Sequence, residues 1–271
     1  MKIAFIGYGN MSIAVIDGIL GSKNNVFLDN IYIFHNKKDL CPKKEGCKFY
    51  LSGNNQSEEN FDIVFLGVKP KDLSGAIKEN INIFKDNQII ISIAAAINAK
   101  TIEAIINKNN SIIRAMPNLC AKIGKSTSIL YYHNELDSNL KTLVENLFLC
   151  IGTVITITKE EQLHSYTALT GSGPAYLMYF IEAMYAACKD LDIKDNLKFQ
   201  TILEMTAGTL DLIEQKANDV EDMKKMRNEV TSKGGTTEAA IKNLSNNSFF
   251  KILDDAINEA KKKSIDLSTK N

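Results

Sequence analysis

The chain has 271 residues, 45% hydrophobic and 24% charged, with a formal net charge of zero. At about 150 residues per domain, that length makes one large domain or two modest ones, each able to bury a core without staples. Charge balance removes the broad cationic footprint of a nucleic-acid binder, and five scattered cysteines with three distant histidines (His35, His133, His164) give neither a disulfide framework nor a zinc or other metal site.

Lys2–Ile6, Ile31–Phe34, Ile63–Leu66, Ile89–Ile93 and Ser111–Ala115 read as buried strands rich in Ile and Val, with Ser126–Tyr132 and Gly152–Thr158 as two more. Helix-compatible runs at Asn10–Leu20, Lys71–Phe84, Thr101–Asn107 and Asp137–Leu149 fill the gaps, which argues for βαβ units and a parallel sheet. From about Lys159 onward the sequence offers helical runs alone, broken near Asp192–Asn196, Ala217–Asp219 and Ser232–Thr237. Within that half, Pro174–Cys188 carries Glu182 as its one charge. A helix apolar nearly all round must be covered on nearly all sides, and a partner subunit is one natural cover, a central position inside one subunit the other. No run reaches the apolar length of a membrane span. The first residues read as a strand and a glycine turn rather than a signal peptide, so a cytoplasmic protein with no membrane partner is expected.

The opening KIAFIGYGNMS places Gly7 and Gly9 between a strand and a helix, with Ser12 at the third small position. That context is what a dinucleotide fingerprint needs. Gly7 permits the tight turn, Gly9 lets backbone approach a pyrophosphate, and the helix start offers unpaired N–H groups to the anion. A glycine turn without ligand is the bland reading. After the second strand comes Phe34-His35-Asn36-Lys37-Lys38, where an NAD enzyme usually has an acid to accept from the ribose hydroxyls. An amide and two ammonium groups suit a ribose 2′-phosphate, so NADPH is favoured over NADH, with solvated lysines as the alternative.

Four further segments resemble the pyrroline-5-carboxylate reductase family. They are Val68-Lys69-Pro70, Arg114-Ala115-Met116-Pro117-Asn118, Thr167 to Tyr176 (TALTGSGPAY) and Val230 to Thr237 (VTSKGGTT). The resemblance implies an α/β fold, with an amino-terminal Rossmann-type doubly wound sheet (1–158) followed by an all-helical domain (159–271) for dimerisation and substrate binding. It implies reduction of 1-pyrroline-5-carboxylate to proline, the last step of proline biosynthesis, by a homodimer or larger homo-oligomer. Cofactor contacts would fall on Gly7, Tyr8, Gly9, Asn10, Met11, Ser12, Asn36, Lys37, Asn54, Val68, Lys69, Pro70 and Ala95. Substrate contacts would fall on Ser232, Gly234, Gly235, Thr236 and Thr237, with Thr167 as the catalytic group beside the reacting nitrogen and Glu160 nearby.

The sequence departs from the family pattern at six places: Lys233 for the loop proline, Ala96 and Ala168 for glycines, Thr170 for a serine, Cys120 for a proline and Glu229 for an amide. Read from the residues alone, the paired glycines before Thr236-Thr237-Glu238 make either an anion site at a helix start or an ordinary capped helix. Two other classes stay open: a β-hydroxyacid dehydrogenase or imine reductase, whose catalytic lysine has no counterpart in Thr170–Tyr176, and a non-catalytic NADP-binding regulator.

Overall fold

The computed structural model describes residues 1–22, 30–36, 45–53 and 59–269. Eight strands form one sheet: β1 (Lys2–Ile6), β2 (Asn30–His35), β3 (Cys47–Leu51), β4 (Ile63–Leu66), β5 (Ile89–Ser92), β6 (Ser111–Met116), β7 (Ser126–Tyr132) and β8 (Gly152–Ile157). Their order is β3-β2-β1-β4-β5-β6-β7-β8. From β3 to β6 all pairs are parallel.

Side chains alternate across a strand, and β1 uses both faces. Ile3 and Phe5 join one buried cluster with α1 (Asn10–Gly21) and α4 (Ser138–Leu149). Ala4 and Ile6 join a second with α2 (Leu73–Glu79) and α3 (Ala99–Ile106). Burial on both faces is why these strands are continuous apolar runs. Phe5 and Phe65 stack across β1 and β4 with centroids 4.4 Å apart.

Three sequence expectations change here. The sheet is not wholly parallel, because β7 runs antiparallel to β6, with β8 parallel to β7. The nine residues 117–125 between β6 and β7 are too few for a crossover, which takes a dozen or more. Strand β3 has no counterpart among the strands expected from sequence. It is an edge strand, half exposed, with Lys48 lying over the Tyr32 ring at 4.9 Å instead of an Ile/Val run. The single helix expected over 71–84 is three short pieces, Pro70–Asp72, α2 and Ile81–Ile83. Buried Asn80 ends α2 by donating from Nδ2 to the Ala76 carbonyl at 2.8 Å, in competition with the helix ladder.

After β8 the described residues are helical: α5 (Gln162–Tyr166), a π turn over Thr167–Gly171, α6 (Gly173–Ala187), α7 (Asp195–Lys216), α8 (Val220–Glu229), α9 (Thr236–Asn246) and α10 (Phe249–Thr269). Strands thus give way to helices after Ile157, and by compactness the chain divides into two units. One unit comprises Met1–Pro174 with the stretch from Glu259 onward, and the other is Ala175–Asn258. Residues 159–174 stay with the sheet because Leu163 packs with Met116, Ile129 and Ile157. In Ala175–Asn258 the one buried apolar side chain is Ile202. None of the described helices is long and apolar enough to cross a membrane.

Candidate active site

Strand order reverses on either side of β1, and open α/β sheets bind ligands at such a switch point. A cleft of about 560 Å3 opens there, walled by Gly7, Tyr8 and Gly9 after β1, by Phe34, His35 and Asn36 at the end of β2, and by Gly67, Val68 and Lys69 after β4. Gly7 sits at φ +98°, and a Cβ on it would lie 2.6 Å from Val68 Cγ1. Gly9 is the N-cap of α1 and brings no side chain to close it, so the first-turn N–H groups stay open to an anion. Tyr8 is held edge-on against Phe49 of β3 at 5.3 Å, and burial raises its phenol pKa, with Cys47 adding to the effect.

Ser12 replaces the third glycine of the fingerprint without cost to helix–strand packing. It is fully buried and its Oγ donates to the Gly67 carbonyl at 3.3 Å. Gly67 makes the room, since a Cβ there would meet Ser12 Oγ at 2.0 Å. The Ser12 side chain therefore packs beneath the loop, and what it can offer a ligand is backbone.

The cleft gathers six of the thirteen residues expected at the cofactor: Gly7, Tyr8, Gly9, Asn36, Val68 and Lys69. Asn10, Met11, Ser12 and Pro70 adjoin these in sequence without lining it. Ala95 packs instead beside the Met116–Leu163 cluster, next to α5. Lys37 and Asn54 lie outside the described residues. The walls also include Ser52, Lys71, Asp72, Gly75, Ala76 and Glu79. No sequence motif marks them, because they sit after the edge strand β3 and on the short helical pieces from Pro70 to Glu79.

A second group of polar residues lies on the same compact unit. Arg114 of β6 is 4% exposed, and its Nη1 donates to Glu160 Oε1 at 3.0 Å. The same oxygen accepts the Ala99 N–H at the start of α3, at 2.8 Å. Burial pulls the Arg114 pKa down, and Glu160 opposes that shift. Thr167 opens the π turn with its hydroxyl donating to the Leu163 carbonyl at 2.7 Å. Single π turns often mark functional sites, and this one is braced by Asn118 Nδ2, which donates to the Thr170 carbonyl at 3.1 Å.

In the helical unit, the Ser232–Thr237 loop turns at Gly234 (φ +75°) and makes Gly235 the N-cap of α9. Four backbone donors from Gly234 to Thr237 were expected to be available for an anion. Two are already used, one by α9 and one inside the loop. Gly234 N–H donates to Glu238 Oε2 at 2.6 Å, and Gly235 N–H to the Ser232 carbonyl at 3.0 Å. The N–H groups of Thr236 and Thr237, at the first turn of α9, remain.

Known proteins align with both halves of this architecture. Residues 160–267 match the family model for pyrroline-5-carboxylate reductase dimerisation, and residues 2–96 match that for NADP oxidoreductase, coenzyme F420-dependent. A pyrroline-5-carboxylate reductase of Staphylococcus epidermidis is 35% identical over 276 residues, covering 100% of this chain and 99% of that one. The chain belongs to the pyrroline-5-carboxylate reductase family. The solved structure of a pyrroline-5-carboxylate reductase from Coxiella burnetii is 28% identical with a TM-score of 0.83, each chain covered to 98%. A Plasmodium falciparum pyrroline carboxylate reductase, solved with NADP bound, shares the fold at 23% identity and a TM-score of 0.84, covering 99% of this chain and 98% of its own.

Several departures from the reductase pattern have a visible local consequence. Ala96 keeps the left-handed conformation that its family glycine would adopt freely, at φ +63° while buried. Ala168 is buried inside the π turn, and Thr170 returns its hydroxyl to the Tyr166 carbonyl at 2.9 Å. Cys120 supplies an N–H, which a proline would lack, to Asn118 Oδ1 at 3.0 Å. Lys233 is exposed on the loop. Nothing in the structure explains Glu229.

Proposed function

We propose that this chain reduces the C=N bond of 1-pyrroline-5-carboxylate to give proline, with NAD(P)H as reductant and NADPH preferred. The observation that carries the reading is the switch-point cleft with an uncapped helix start, in a chain that matches reductases over its whole length. When bound, the cofactor supplies a hydride to the imine carbon, and a proton ends on nitrogen. The residues must then hold the two partners in register and favour the positive charge that a protonated imine carries.

Gly7, Tyr8, Gly9, Asn10, Met11 and Ser12 would hold the pyrophosphate side, largely through backbone. Asn36, Lys37 and Asn54 would take the adenosine side, with Lys37 on the 2′-phosphate. Val68, Lys69, Pro70 and Ala95 would complete the set. The glycine cradle supports this, since Gly7 turns at φ +98° with its backbone packed so close to Val68 that a Cβ would not fit. Thr167 has already committed its proton to Leu163, so we assign it as an acceptor for the N–H of the protonated ring, with Glu160 as the charged neighbour. The substrate carboxylate is assigned to Ser232, Gly234, Gly235, Thr236 and Thr237, through the Thr236 and Thr237 N–H groups and the Thr237 hydroxyl. The working form is a cytoplasmic homodimer or larger homo-oligomer, with residues 1–158 as the cofactor domain and 159–271 as the dimerisation and substrate domain. It has no nucleic-acid partner.

The test is NADPH oxidation with pyrroline-5-carboxylate against a panel of hydroxy acids. Turnover of the imine alone is expected. Lys37→Glu should weaken NADPH selectively, by the roughly 1.5–3 kcal/mol of a charge-assisted contact. Thr167→Val should lower kcat with cofactor affinity intact, whereas Thr167→Ser retains most activity. Turnover of a hydroxy acid in place of the imine, or of neither, overturns the assignment.

A further inference from the structure

A buried arginine in the middle of a sheet needs a reason beyond stability, because a well-packed apolar pair of the same volume usually serves as well. Arg114 stands on β6, 4% exposed, with Glu160 as its one ion-pair partner among the described residues. Its buried Nε has no hydrogen-bond partner among the described residues. What the pair achieves is directional. Glu160 Oε1 takes Arg114 Nη1 at 3.0 Å and the Ala99 N–H at 2.8 Å, from two elements distant in sequence. Two donors, one of them charged, converge on Oε1 and hold that oxygen in place. The other oxygen, Oε2, has no protein partner among the described residues and keeps its full capacity to accept. At the start of α3 two side chains cap different donors, Glu160 the buried Ala99 N–H and Asn98 the Thr101 N–H at 2.8 Å, and the cap on Ala99 uses Oε1 alone.

We propose that Arg114 is a positioning residue for the reaction: it clamps Oε1 of Glu160 so that Oε2 is presented, in a fixed orientation, to the ring nitrogen of the cationic imine. The proposal rests on the reading that Glu160 meets the substrate. It divides the carboxylate into a structural oxygen and a working one. It also gives the Arg114 to Asn118 segment two tasks, with Arg114 orienting Glu160 and Asn118 bracing the π turn that begins at Thr167.

The experiment compares Arg114→Met, Arg114→Lys, Glu160→Gln and the double variant Arg114→Met/Glu160→Gln. Steady-state kinetics read the substrate KM and kcat, and fluorescence titration reads NADPH affinity directly. Arg114→Met should raise the substrate KM about tenfold or more, the loss expected of a charged hydrogen bond, with NADPH affinity unchanged. Arg114→Lys, which keeps a cation within reach of Oε1, should recover most of that loss. The double variant should be no worse than Glu160→Gln alone, because both changes remove one interaction. If Arg114→Met does not fold, Arg114→Gln replaces it, with the same expectations. A wild-type substrate KM in the arginine variants, or an equal loss of NADPH affinity, overturns the positioning role while Glu160→Gln still raises KM. If Glu160→Gln itself leaves KM unchanged, the substrate role of Glu160 falls and the proposal falls with it.

Discussion

The two compact units treat their apolar residues in opposite ways. In the sheet unit, β1, β4 and β5 send side chains into two buried clusters, one on each face, and Ile3, Phe5, Ile63 and Phe65 are fully enclosed. In Ala175–Asn258 the apolar residues are as evident, but Ile202 alone is buried, while Leu177 is 60% exposed and Tyr179 73% exposed. A stretch of that size with one buried apolar side chain has no core of its own. The same hydrophobic chemistry thus closes one unit within the chain and leaves the other in need of a second surface, in keeping with the dimerisation model matched over 160–267.

The largest expected effect breaks the comparison at the helical unit. Met178→Lys places an ammonium on α6 among exposed apolar neighbours, and covering it in an interface would cost several kcal/mol. Light scattering at micromolar concentration should show loss of the oligomer. If the variant keeps the wild-type mass, that face is not the interface.

A smaller effect tests whether the sheet unit is as tightly built as its burial implies. Gly7→Ala adds a Cβ 2.6 Å from Val68 Cγ1 at φ +98°, costing about 1–3 kcal/mol in strain and overlap. Its melting temperature and NADPH affinity should fall together. Unchanged affinity would remove Gly7 from the cradle.

Ala96→Gly works in the other direction. Relief of a left-handed alanine at φ +63° is worth about 1–2 kcal/mol, less the extra freedom of the unfolded chain. A net stabilisation of under about 1 kcal/mol should appear in denaturant unfolding, and a destabilised variant would show that the alanine methyl packs too well to lose.

The smallest effect concerns the return of α10 to the sheet unit, where His164 Nδ1 meets Ser264 Oγ at 2.9 Å. Burial holds the His164 pKa below its ordinary value, and Arg114 adds to the shift. The unfolded chain therefore binds this proton more readily than the folded one, so stability is lost as pH falls through about 6.5 and below. His164→Gln should flatten that part of the stability profile. A slope identical to wild type would assign the pH dependence to other groups.

Strands β1, β4 and β7 could be read from sequence with their observed bounds, and the glycine loop with its context, because apolar runs and turn residues are local signals. Strand β3 could not, since its CKFYL run has no Ile or Val and carries Lys48, whereas β8 at the other edge keeps the β-branched run GTVITI. The break after α2 depended on one buried amide, Asn80, whose competition with the helix becomes visible once it is buried. At the site, the glycine cradle was legible. The pairing of Arg114 with Glu160 was not, because the partners are 46 residues apart. Nor was the internal use of the Gly234 and Gly235 N–H groups, which depends on how Glu238 folds back.

Fold class, family and chemistry were thus written in short stretches whose meaning is local: a strand, a glycine turn, a helix start, and segments such as TALTGSGPAY. Folding in three dimensions decided which carboxylate oxygen is committed and which is free, that Ser12 packs against Gly67 rather than facing the cleft, and that β7 runs backwards. These are matters of distance and direction between residues far apart in the chain. A hydrogen bond needs about 3 Å and a narrow angle, and no pattern along one dimension specifies either.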